Sequence, residues 1–299
     1  PRGVLSARRL VRAFRPDVVF STGGFVSVPT VIASRGRAPI LTHEQTTIIG
    51  LANKINLRFA DELALSFADT ATRVGATKAK TVVTGNPIRS ELLSGDADRG
   101  RQQFSFRTNL PLVFVTGGAR GASPLNQRIR AILPHLLEQA QVLHQTGPSS
   151  ANADFADLTA LKKSLPPELA TRYVPTEFVR EEIADVYAMA DLIVCRAGAG
   201  TVAELSALGK AAIMIPLPLS GGGEQIVNAR ALADGGAGVL LMQDDATPER
   251  LLREVTSLLT DPERRLKMAR SAGELGRRDA AARLADELLA LARYPNATR

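Results

Sequence analysis

Three times from residue 112 onward the chain runs a short apolar stretch into small residues and then into a helical pattern. Leu112-Val113-Phe114-Val115 meets Gly117-Gly118-Ala119-Arg120-Gly121, and Leu192-Ile193-Val194-Cys195 meets Arg196-Ala197-Gly198-Ala199-Gly200. The apolar run at 212–215 meets Gly221-Gly222-Gly223 after Pro216-Leu217-Pro218. A strand that must hand over to a helix is a βα unit, and a series of them forms a parallel sheet with helices on its faces. The first half repeats the alternation, with strands at 18–20, 39–42, 63–66 and 81–84 and helices at 1–14, up to 34, and 48–59. The fold class is α/β.

At 299 residues and 45% apolar content the chain has room for two domains, since a single core stops growing near ~250 residues. Residues 94–109 are polar and weakly periodic, which marks a linker and gives domains at 1–97 and 105–275. The second domain adds a helix at 125–138 and strands at 142–144, 173–174 and 239–241. Residues 148–170 form a polar excursion with one helix, and three helical stretches fill 248–292.

Aromatics make up only 4% and Trp is absent, so recognition of single-stranded nucleic acid by stacking is excluded, and no nucleic-acid motif is present. The lone Cys195 sits in an apolar run and is a buried strand residue rather than a nucleophile. His43, His135 and His144 are too scattered for a zinc site, so no metal is expected. The net charge of +7 calls for an anionic partner: a phosphorylated substrate, a membrane or nucleic acid. Arg2, Arg8, Arg9, Arg12 and Arg15 share the first segment with Leu5, Leu10 and Phe14. Such a helix lies either on an anionic bilayer or on an ordinary protein surface. No apolar run is long enough to span a membrane.

All three glycine turns lie at carboxyl ends of strands, where open parallel sheets bind ligands. The Gly117 turn presents backbone N–H groups and a helix start to a phosphate, with Arg120 as a guanidinium partner; left-handed backbone geometry alone would also demand glycine. Glu204, one turn into the next helix, either accepts ribose hydroxyls or favours the helix dipole, worth ~0.3–1 kcal/mol. Glu224 and Gln225 either meet sugar hydroxyls or open a helix after a mobile loop.

The order of these motifs resembles the MurG family of bacterial glycosyltransferases. The likeness runs from Pro16-Asp17-Val18-Val19 and Gly23-Gly24 through His43-Glu44-Gln45, Gly85-Asn86-Pro87-Ile88-Arg89, the Gly117 loop and the Ala199–Glu204 run to Gln225 with Asn228-Ala229. The resemblance implies a GT-B architecture, two Rossmann-like domains with parallel sheets facing a cleft, and a last helix at 276–299 returning to the first domain. It implies inverting transfer of N-acetylglucosamine from UDP-N-acetylglucosamine to the muramyl C4 hydroxyl of lipid I, giving lipid II for peptidoglycan, without metal or cofactor. The enzyme would sit peripherally on the cytoplasmic face of the plasma membrane.

Carried over by position, Arg89, Gly118, Ala119, Arg120, Val179, Ala199, Gly200, Thr201, Val202, Ala203, Glu204 and Gln225 bind the donor. Gly23, Gly24 and Thr46 lie on the acceptor side. The resemblance implies that the family's first glycine loop and its proposed base belong to about seventy residues expected before Pro1; separately, a domain rarely begins with a crossover helix that has no strand ahead of it. The first domain is then incomplete at its N-terminus, and His43 and Glu44 are the remaining candidates for the base. Ala119 stands where the family usually has serine, Arg120 where it has glutamine, Thr46 where it has asparagine and Glu224 where it has histidine or glutamine. Two other functions fit the same residues: a different GT-B glycosyltransferase, acting on a lipid or natural product, and a non-catalytic nucleotide-sugar-binding protein.

Overall fold

The computed structural model describes residues 2–220 and 222–293. They fall into two units, Pro1–Ile88 with Arg277–Arg299, and Arg89–Gly276. The first contains α1 (Arg2–Phe14), β1 (Val19–Ser21), α2 (Ser27–Ser34), β2 (Ile40–Glu44), α3 (Leu51–Asn56), β3 (Glu62–Leu65) and β4 (Lys80–Val83). Its sheet runs β1-β2-β3-β4, every pairing parallel. Alternate strand residues serve opposite faces. Val19 and Ile40 meet Val31 of α2, whereas Leu41 and Ala64 meet Leu284 of the chain's last helix. Ala7 and Val11 anchor α1 against Ala33, leaving Leu5, Leu10 and Phe14 exposed.

The second unit contains α4 (Ala97–Gln103), β5 (Leu112–Thr116), α5 (Ser123–Gln139), β6 (Gln141–Gln145), α6 (Asp154–Ser164), α7 (Pro167–Ala170), β7 (Tyr173–Thr176) and α8 (Ile183–Met189). It continues with β8 (Leu192–Cys195), α9 (Ala199–Leu208), β9 (Ala212–Met214), α10 (Glu224–Asp234), β10 (Gly238–Leu240), α11 (Pro248–Leu259) and α12 (Pro262–Leu275); the last helix, α13 (Ala280–Arg293), belongs to the first unit. The sheet order is β10-β9-β8-β5-β6-β7, all parallel. The chain starts at the centre, works outward through β6 and β7, then returns to the other side of β5. This is the Rossmann order, with its topological switch point between β5 and β8. Val113 and Val115 pack under α5 and α11, while Phe114 faces the other way and meets Tyr187 of α8 edge to face. Two parallel α/β units of this kind are the make-up of GT-B proteins.

Three expectations need correction. The boundary lies at Ile88/Arg89, and residues 94–109 are no linker. Asp96 caps α4 by accepting from the Arg99 N–H at 2.9 Å, and Arg99 grips Asp185 of α8 with two nitrogens, Nε at 2.6 Å. The polarity of the segment comes from that anchoring. Glycine makes the approach possible, since a Cβ on Gly95 would strike the carbonyl of Ala184. Strand β2 runs on through His43 and Glu44, which pair with Ala64 and Leu65 of β3. The excursion at 148–170 holds two helices, α6 and the short α7.

Candidate functional site

The Gly117 loop leaves β5 at the switch point. Gly118 has φ +81°, and a Cβ there would meet nothing within 4 Å. Glycine is needed for the left-handed backbone, and the space before it is open. At Gly121 the requirement is contact: a Cβ would strike the carbonyl of Thr146. The Gly118 N–H donates to Thr116 Oγ1 at 3.0 Å, and the Gly121 N–H to the Gly118 carbonyl at 3.0 Å. Gln145, buried at the end of β6, ties this loop to the next. Its Nε2 donates to Thr116 Oγ1 and the Gly118 carbonyl, both at 3.2 Å, while its Oε1 accepts from the Val179 N–H at 3.0 Å. Val179 can therefore offer a ligand its carbonyl. Ala119 and Arg120 stand exposed at the tip, and Arg120 has no hydrogen bond or ion pair among the described residues.

Helix α9 begins at the other side of the switch point. Gly198 precedes it in extended geometry without a side-chain cap, and its first bond back is Val202 N–H to the Gly198 carbonyl at 3.0 Å. The N–H groups of Ala199, Gly200 and Thr201 thus point outward unpaired among the described residues, at the positive end of a helix dipole. Thr201 and Ala203 are partly exposed, while Val202 is buried and packs the helix down. Glu204 lies beyond the first turn, too far along for a dipole role. Its Oε2 accepts instead from the Tyr187 hydroxyl at 2.7 Å. Burial and then the Glu204 charge push the Tyr187 phenol far above its ordinary range, partly opposed by Arg89, so it stays a donor. Exposed Arg89 opens the turn at Ser90–Ser94, which packs against α8 and α9.

The third edge is set by Arg196. Its buried guanidinium donates to the carbonyls of Ile215 at 2.8 Å and Pro216 at 3.1 Å and to Gln243 Oε1 at 2.7 Å. Arg128 grips the same far loop through the carbonyls of Gln243 at 2.8 Å and Ala246 at 2.7 Å. Burial, then Arg128, lowers the Arg196 pKa. Gln225 Oε1 accepts from the Leu217 N–H at 3.0 Å, which leaves its amide NH2 for a ligand. Cys195 is fully buried and its thiol is pushed up to about 12 by burial, then Glu204, so it is no nucleophile. The structure gathers Arg89, the Gly117 loop, Val179, α9 and Gln225 in one unit. It adds Gln145 and Tyr187, which no motif contained, and gives a role to Arg196, which the second motif contained without one. A polar residue closing an aliphatic strand, as in Leu143-His144-Gln145 or Val194-Cys195-Arg196, was the available signal.

Residues 112–284 match the glycosyltransferase family 28 C-terminal domain, and residues 2–65 match the glycosyltransferase family 28 N-terminal domain. The protein of Anaeromyxobacter sp. named UDP-N-acetylglucosamine–N-acetylmuramyl-(pentapeptide) pyrophosphoryl-undecaprenol N-acetylglucosamine transferase is 38% identical over 300 residues, 98% of this chain and 74% of that protein. Its namesake in Lachnospira eligens is 36% identical over 261 residues, 87% of this chain and 70% of that protein. The crystal structure of Acinetobacter baumannii MurG aligns with a TM-score of 0.76 at 29% identity, covering 96% of this chain and 77% of that one. The chain belongs to the MurG family.

The MurG-family residues of the first unit lie at the carboxyl edge of its own sheet. Gly23 and Gly24 follow β1 with φ +84° and +76°; a Cβ on Gly23 would press on the Asn53 amide at 3.0 Å, whereas Gly24 faces open space. His43 and Glu44 are poor bases here. His43 is 1% exposed, and its Nε2 is already engaged by the Gly85 carbonyl at 3.1 Å and the Ser66 hydroxyl at 3.2 Å. Burial lowers its pKa and keeps the ring neutral. Glu44 is buried and spends both oxygens within the unit: Oε1 on the N–H and hydroxyl of Thr46, Oε2 on the Gly50 N–H and Asn53 Nδ2. Both residues build the loop that presents Thr46, whose one hydroxyl hydrogen is shared between Glu44 Oε1 at 3.0 Å and the Ile48 carbonyl at 2.5 Å.

Proposed function

We propose that this chain transfers N-acetylglucosamine from UDP-N-acetylglucosamine to the C4 hydroxyl of the muramyl sugar of lipid I, the step that yields lipid II for peptidoglycan. The carrying observation is the switch point of the second unit, where three outward N–H groups of α9 and the oriented carboxylate of Glu204 stand beside the open Gly118 loop. Glu204 accepts the ribose hydroxyls and the Val179 carbonyl accepts from uracil. The diphosphate lies between the Gly118–Arg120 loop and Ala199–Thr201, with Arg89 adding charge. Gln225 donates its amide to a sugar hydroxyl.

In the inverting reaction the C4 hydroxyl attacks C1 of the donor sugar as the bond to UDP breaks. Negative charge grows on the diphosphate, and outward N–H groups already aimed there stabilise it without reorganisation. Arg120 adds a mobile cation that a glutamine could not supply. The first unit serves the acceptor through Gly23, Gly24 and Thr46.

Helix α1 supports peripheral attachment to the cytoplasmic face of the membrane: Leu5, Leu10 and Phe14 are exposed among Arg2, Arg8, Arg9 and Arg12. Apolar side chains entering the headgroup region and basic ones pairing with anionic lipids suit that role. No helix among the described residues is long and apolar enough to cross a membrane.

Transfer is tested with radiolabelled UDP-N-acetylglucosamine and a lipid I analogue, using a chain of the same length as its relatives. Turnover with another donor and none with this one would overturn the assignment. On the 299-residue chain, calorimetry should show UDP affinity at least tenfold weaker in Glu204→Ala, since hydrogen bonds to a charged group are worth about 1.5–3 kcal/mol. Unchanged affinity removes Glu204 from the site.

A further inference from the structure

We propose that Tyr187 is a positioning residue for nucleotide recognition: its hydroxyl locks the Glu204 carboxylate in the orientation that distinguishes ribose from 2′-deoxyribose. The inference rests on Glu204 being the ribose acceptor. Glu204 sits on the second turn of α9, where the helix's own N–H groups are already paired, so the backbone gives its carboxylate no fixed direction. Tyr187 supplies one. Its hydroxyl donates to Oε2 at 2.7 Å, and Oε1 has no hydrogen bond among the described residues.

Tyr187 is itself held. It is 3% exposed, and its ring meets Phe114 edge to face at 6.0 Å and 87°. Two residues earlier on α8, Asp185 is clamped by Arg99 and by the Asp96 N–H at 2.7 Å. A phenol kept protonated by burial can only donate to a carboxylate. One oxygen is therefore committed, and its partner is left to accept from a vicinal diol. Freed of Tyr187, the carboxylate would turn about its last torsion, which is broad and roughly two-fold, and hold a single hydroxyl as well as a pair.

The test is calorimetry of UDP and 2′-deoxy-UDP on the full chain, read as the ratio of the two affinities within each protein. Wild type should favour UDP, and equal wild-type affinities overturn the proposal. Tyr187→Phe keeps the ring against Phe114 and should lose about tenfold in UDP affinity, with much less change for 2′-deoxy-UDP. A wild-type ratio in Tyr187→Phe overturns the proposal.

A second answer comes from adding Tyr187→Phe to Glu204→Ala: with the carboxylate gone Tyr187 has nothing to orient, so the double variant should show the same ratio as Glu204→Ala alone. A further fall of the ratio in the double variant means that Tyr187 acts on the ribose by another route, and it also overturns the proposal. Glu204→Ala separates the two claims: if it alone keeps the wild-type ratio, Glu204 does not read the ribose and the underlying assignment fails instead.

Discussion

Gln145 joins the Gly117 loop to the Val179 loop, so Gln145→Leu should damage folding and donor binding by separable amounts. Leucine keeps nearly the same volume in a buried site and opens little cavity. What is lost is three hydrogen bonds: two from Nε2 at 3.2 Å and one to Oε1 at 3.0 Å. At about 1 kcal/mol net for each, the ceiling is about 3 kcal/mol. Gly118 and Val179 are only partly buried and can recover some hydration, which lowers the expected loss to about 2 kcal/mol. Urea denaturation followed by far-ultraviolet circular dichroism measures this term. Calorimetry with UDP measures the other, where loosening two of the loops proposed to meet the nucleotide should weaken binding about tenfold, or 1.4 kcal/mol. Gln145→Glu should be worse near neutral pH, because a carboxylate faces the Gly118 carbonyl with no hydrogen to give. A stability loss under about 0.5 kcal/mol together with unchanged UDP affinity in Gln145→Leu would refute the argument.

Gly118→Ala should cost about 1–2 kcal/mol of stability through its positive φ alone, yet weaken UDP by more than that, because the new methyl enters the space before the loop. Unchanged UDP affinity in the variant would mean that the loop holds no phosphate. In the first unit, burial and then the hydrogen bond with Glu287 lift Glu62 from its ordinary 4.5 to about 7. A raised carboxyl pKa means that the folded state binds the extra proton, so this contribution is complete at low pH and is lost as pH rises through about 7. Thermal melts between about pH 5 and 8 should therefore show a falling component that Glu62→Gln removes; an identical slope in the variant would discount the Glu62 assignment.

Much of this molecule was legible because its strands are aliphatic and its turns are glycine. Leu112–Thr116 and Leu192–Cys195 are buried throughout, so their composition and their position in the sheet say the same thing. The small residues after β5 and β8 mark the switch point for a similar reason, since backbone must come close to something there. Residues 94–109 misled because an ion pair looks like solvated surface until its partner is known, and Asp185 lies far along the chain. Tyr187 was hidden by the same distance, and so were the partners of Gln145 and Arg196, although a polar residue closing a strand marks those two positions. Each acts through a hydrogen bond to a residue on another element, and no local spacing encodes such a pair. His43 and Glu44 drew attention as titratable neighbours; only their burial and their full set of partners reveal them as parts of a loop.

Helix α13 has a consequence for how the chain comes to be folded. Leu284 covers Leu41 and Ala64, yet the whole of Arg89–Gly276 lies between them in sequence. During synthesis the second unit has every strand of its own sheet before α13 emerges, while one face of the first sheet still waits uncovered. The nascent first unit therefore passes through a stage with apolar strand surface exposed, and closing it requires a contact of very long sequence separation.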